Sequence, residues 1–63
     1  MEKDSQVGKA LEFAIEKEEA AQRFYLQLVE RVSEASTQDT LRYLAGEEAK
    51  HKEFFFFLKF RNN

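Results

Sequence analysis

Sixty-three residues without cysteine, with a formal charge of −2 and acidic and basic residues interspersed, allow one small domain. They exclude a disulfide scaffold, a cysteine-ligated metal and a basic nucleic-acid face. A chain of this size buries only about 60% of its unfolded surface, so a metal or a partner subunit is the expected stabiliser. No apolar run approaches the roughly 20 residues of a membrane span. Met1-Glu2-Lys3-Asp4 has no apolar signal core, so a cytoplasmic protein with no membrane partner is expected.

Ala, Leu, Glu, Lys, Gln and Arg form the bulk of the chain and proline is absent, which predicts an all-α protein. After a frayed Met1–Asp4, Asp4 or Ser5 caps a first helix over about 5–33. Val7, Leu11, Ala14, Glu18, Ala21, Tyr25, Leu28 and Val32 recur at alternating steps of four and three, the stripe that a helix buries. Lys9, Glu16, Arg23 and Glu30 fall on the solvated outer face. Glu34-Ala35-Ser36 reads as the linker. Ser36-Thr37-Gln38-Asp39 reads as the start signal of a second helix over about 37–60. Asp39 suits its positive N-terminus, and Lys59 and Arg61 suit its C-terminal end. Its stripe is Leu41, Leu44, Glu48, His51, Phe55 and Leu58. Gly46 costs this helix about 1 kcal/mol relative to Ala. The heptad pattern is the one repeat this reading finds.

Both stripes hold ionisable groups where apolar side chains belong: Glu18 in the first, Glu48 and His51 in the second. Breaks of this kind tend to mark functional sites. A short linker makes the helices antiparallel neighbours, and equal rise on both sides puts Glu18, Glu48 and His51 within about one turn of height. Glu48 and His51, one turn apart on one face, can reach one ion. Carboxylate plus imidazole suits Fe, Mn or Zn. Three ligands leave a metal underfilled, and a hairpin has only one buried side per helix. A twofold homodimer answers both needs. It builds a four-helix bundle with two copies of Glu18, Glu48 and His51, the ligand set of di-iron and di-manganese carboxylate bundles, and binds about two ions. The chain, 1–63, is then one half-bundle domain.

The competing reading is a structural hairpin module whose polar seam fixes dimer register. There Glu48 and His51 stay partly solvated and Glu18 pairs with a lysine. Against it, an unpaired carboxylate in a bundle core costs several kcal/mol, which a bound cation relieves. Tyr25, about 10 Å along the axis from Glu18, can hydrogen-bond a ligand carboxylate from another helix. Otherwise it is a core tyrosine with some other hydroxyl partner. Glu19 and Glu47 flank the stripes, as surface residues or as the lining of an ion access path. Phe13, Phe56, Phe57 and Phe60 lie off the stripes. Four exposed rings form an apolar patch suited to a second interface that joins dimers into a larger homo-oligomer.

Glu18-Glu19-Ala20-Ala21-Gln22-Arg23-Phe24-Tyr25 resembles the first-helix motif of the rubrerythrin-type ferritin-like di-iron family. Leu44-Ala45-Gly46-Glu47-Glu48-Ala49-Lys50-His51 resembles its second-helix motif. The likeness covers about Leu11 to Leu58. It implies a ferritin-like four-helix bundle, with iron ligands and catalytic residues at Glu18, Glu48 and His51 and Tyr25 beside them. It also implies ferroxidase chemistry, the oxidation of Fe(II) by O2 or peroxide, in iron storage or detoxification. Family members are usually four-helix chains with two such halves, and this sequence carries one. In that it is similar to the encapsulated ferritins, whose two-helix subunits pair across the di-iron site. Half of a longer rubrerythrin-like chain would carry the same residues. The likeness also names an encapsulin-type shell as a partner, although the sequence as given shows no targeting tail. Lys17 and Ala20 stand near positions where encapsulated ferritins carry further acids.

Overall fold

Two runs of strong helix formers, broken by a short polar stretch, fold as two helices. The computed structural model describes residues 5–62. Helix α1 spans Ser5–Val29 and helix α2 spans Ala35–Asn62. They pack side by side as an all-α hairpin, 54 × 13 × 9 Å in extent. No helix among the described residues is long and apolar enough to cross a membrane. The reading of Met1–Asp4 as a frayed end lies outside the described residues.

The turn differs from the sequence reading in both helix ends. α1 stops at Val29, four residues short of Ser33. Its last carbonyls tighten into three-residue turns, with Glu30 N donating to Gln27 O at 3.2 Å and Arg31 N to Leu28 O at 2.9 Å. Gln38 then reaches back from α2. Its Nε2 donates to Val32 O at 2.8 Å and to Val29 O at 3.3 Å, satisfying carbonyls that a helix end leaves without partners. α2 begins at Ala35, two residues before the expected start. Gln38 N donates to Glu34 O at 3.0 Å, so Glu34 is the capping residue, and the Thr37 hydroxyl donates to the Glu34 carboxylate. Ser36 therefore lies inside the helix, where its carbonyl accepts from Thr40 Oγ1 at 3.0 Å. Asp39 pairs with Arg42 at 3.5 Å.

Val29 and Ala45 are the buried hydrophobic residues among those described. The small Ala45 side chain lets α1 approach closely. The stripe residues are half-buried along the whole hairpin, save Val7 and His51, which are exposed, because two helices cover each other on one side. Gly46 has no atom within 4 Å of the place a Cβ would occupy, so it faces open space and is not a close-packing device within the hairpin.

Candidate metal centre

α2 runs antiparallel to α1, and this brings Glu18 level with Glu48 and His51. His51 Nδ1 lies 3.3 Å from Glu18 Oε2 and 3.6 Å from Glu48 Oε1. One ligand atom from each residue can be chosen so that all lie within 4.8 Å of one another. The two carboxylates are largely sheltered, their side chains 18% and 19% exposed, while His51 is 56% exposed. Glu48 and His51 are one turn apart on the same face of α2. Glu18 faces them from α1.

Two carboxylates and one imidazole leave a local excess of negative charge. The Glu18 carboxyl is held above its ordinary pKa. The main cause is hydrogen bonding with Glu48, which favours the protonated form; desolvation and the like charge of Glu48 act in the same direction, and His51 opposes them. Nearby acids are placed differently. Glu19 pairs with Lys52 at 3.5 Å, Glu12 with Lys59 at 2.9 Å and Glu47 with Lys50 at 3.3 Å. Both acids considered for an ion access path, Glu19 and Glu47, thus carry a lysine. A shallow cleft of about 160 Å³ lies on the Glu19–Lys52 flank, lined by Ile15, Glu19, Lys52 and Phe56. It does not include the cluster.

The family model described as Rubrerythrin matches residues 2–59. This chain belongs to the rubrerythrin family, a ferritin-like di-iron family. No curated protein and no solved structure matches it. Iron fits the cluster of this rubrerythrin-family chain on its own chemistry. The donors are carboxylate oxygens and an imidazole nitrogen, they converge from two helices, and a cation would balance the excess charge.

Tyr25 is half-buried and its ring lies against Phe24, with centroids 5.8 Å apart. Among the described residues its hydroxyl makes no hydrogen bond to Glu18, Glu48 or His51. Phe13, Phe56, Phe57 and Phe60 are all exposed. The four rings do not share one surface. Phe56 lines the interhelix cleft, Lys17 lies over Phe13 at 5.4 Å and Arg61 over Phe57 at 5.7 Å. At about 100° per residue, Phe13 points to the edge of α1 away from α2, so matched height with Phe57 does not make the two neighbours. Sequence reasoning placed Lys59 at the C-terminal end of the second helix but did not foresee that Lys52 and Lys59 pair with Glu19 and Glu12 across the helices. Their positions four and eleven residues after Glu48 were the available signal.

Proposed function

We propose that this chain binds iron at Glu18, Glu48 and His51, in a di-iron carboxylate centre shared by two copies, and that it oxidises Fe(II) with O2 or peroxide. The cluster itself carries the reading: a Glu/Glu/His set converging from two helices in a chain of a di-iron family. Glu48 and His51 would hold the metal from α2 and Glu18 from α1. A bound cation would balance the excess negative charge of the two carboxylates. Bound iron supplies the redox chemistry. Each Fe(II) is also substrate and gives one electron to the acceptor, O2 or peroxide. Mn or Zn suits the same donors, and Zn should compete.

A single hairpin supplies three ligands, so the second copy supplies the rest. The dimer is a ferritin-like four-helix bundle in which the chain is one half-bundle domain and about two ions lie between copies. Tyr25 finds its hydroxyl partner on a helix of the second copy. Phe56, Phe57 and Phe60, exposed over the last turns of α2, suit a contact between dimers. An Fe(II) substrate suits a reducing compartment such as the cytoplasm.

The test is anaerobic Fe(II) titration beside mass in solution, followed by admission of O2. The expected result is about two ions per dimer and Fe(III) formation faster than in buffer, with the excess rate lost in Glu18→Ala. A parent chain that binds no more iron than its Glu48→Ala variant would leave the hairpin as a structural oligomerisation module.

A further inference from the structure

Each helix carries two exposed aromatic rings that bracket its glutamate. Phe13 stands five residues before Glu18 and Phe24 six after it; Tyr43 stands five before Glu48 and Phe54 six after it. All four are between 57% and 65% exposed. At about 100° per residue, each pair lies about 120–140° round its helix from the glutamate, on one side. The residues that face the other helix, Ile15 and Val29 on α1 and Ala45 and Lys52 on α2, lie on the other side. The rings therefore stand along the two outer edges of the hairpin, about 8–9 Å above and below the cluster along the axis.

We propose that Phe13, Phe24, Tyr43 and Phe54 are the aromatic rim of the contact with a second copy of this chain, closing the cluster from above and below. The inference rests on the dimeric reading of the site and adds which residues edge the contact. The hairpin exposes 5117 Å², against about 4250 Å² for a compact monomer of its mass. The excess, about 870 Å², is close to the roughly 800 Å² that each partner buries in a stable interface. The equal offsets matter as well. Because both pairs sit at the same distances from their glutamates, a twofold through the cluster, along or across the helices, sets rings of one copy level with rings of the other. Between the two edges the surface is apolar and only half-buried in the hairpin, with Ala21 and Leu28 on α1 and Leu44 and Leu58 on α2. An apolar centre enriched at its borders in aromatic rings is the make-up of a protein interface.

The first experiment compares Phe24→Ser with Phe54→Ser, combined, against Phe57→Ser with Phe60→Ser, combined. Sedimentation, helicity and anaerobic Fe(II) binding are read together. The rim pair should weaken the dimer about tenfold or more and lower iron binding in step, while the control pair stays within about twofold. Loss of the partner can also unfold the hairpin, so cross-linking supplies an independent reading. The chain has no cysteine. Phe13→Cys, Phe24→Cys, Tyr43→Cys and Phe54→Cys variants, mixed in pairs, should form inter-chain disulfides in folded dimer, whereas Glu16→Cys and Arg23→Cys, on the solvated outer face of α1, should not. A parent dimer that binds iron while all four rim thiols stay unlinked overturns the rim and leaves the site reading standing. A parent that is monomeric overturns the dimer, and the rim with it.

Discussion

Glu18 and Glu19 are neighbours in sequence, and so are His51 and Lys52, yet the two flanks of the hairpin handle charge in opposite ways. On one flank Glu19 meets Lys52 at 3.5 Å and Glu12 meets Lys59 at 2.9 Å. Each carboxylate there has its own ammonium, and the flank is complete within one chain. One residue round each helix, Glu18 meets a second carboxylate and shares a single imidazole with it. That flank is short of positive charge. The ion-paired flank shows how easily this backbone supplies a lysine partner, which makes the shortage on the other flank the feature that points to a cation.

The largest expected effect comes from breaking the cluster. Glu18→Ala, Glu48→Ala and His51→Ala should each weaken Fe(II) binding by about 100-fold or more, at or beyond the top of the about 10–100-fold range for groups that only support a ligand. Glu19→Ala should stay within about threefold. Equal losses at Glu18 and Glu19, measured by anaerobic titration, would mean that iron senses general negative charge and not a site.

A sharper test converts one flank into the other. His51→Lys puts a permanent cation between Glu18 and Glu48. Iron affinity should fall as far as in His51→Ala, and the metal-free protein should gain about 1 kcal/mol, read as a higher melting temperature in chelator. A metal-free variant less stable than the parent would show that the two carboxylates are already satisfied.

The raised pKa of Glu18 gives a pH signature for the metal-free protein. A folded-state pKa above the unfolded one means that the folded form binds the proton more tightly. The associated stability is fully present below the unfolded value, about 4.3 for Glu, and is lost as pH rises through the folded value. Glu18→Gln, neutral throughout, should therefore melt higher than the parent at pH 7, and the difference should close as pH falls below the unfolded carboxylate range. Parallel melts in chelator at neutral and acid pH check this; a difference independent of pH would remove Glu48 as the cause.

The stripes and their antiparallel pairing were legible in the sequence because heptad spacing and helical rise are strict. Together they bring Glu18 to 3.3 Å from His51 across a turn whose details were not legible. The start signal at Ser36 gave way to Glu34, which accepts from Gln38 N and Thr37 while Asp39 turns to Arg42, and the backward reach of the Gln38 side chain to Val29 and Val32 depends on the path of the turn. The grouping of Phe13 with Phe57 used height without angle, and outer faces of two helices diverge. The matching offsets of Phe13, Phe24, Tyr43 and Phe54 escaped a reading that followed only the apolar stripe. The second half of the proposed centre lies in another copy, which one chain's sequence cannot display.

The smallest expected effect lies on the ion-paired flank and sets its scale. Lys52 and Glu19 are 35% and 43% exposed, so solvent and salt screen their attraction, and exposed pairs contribute about 0–1 kcal/mol. The Lys52 stem also lines the cleft beside Ile15 and Phe56. Lys52→Met keeps that apolar contact while deleting the charge, and should change stability by about 0.5 kcal/mol or less at ordinary salt. Lys52→Ala should lose somewhat more, because the stem goes too. Neither should move Fe(II) affinity beyond about threefold, since the lysine's partner is Glu19 and not the cluster. If Lys52→Met weakened iron binding as His51→Ala does, the two flanks would have to be read as one electrostatic unit, and the contrast between neighbouring residues would lose its meaning.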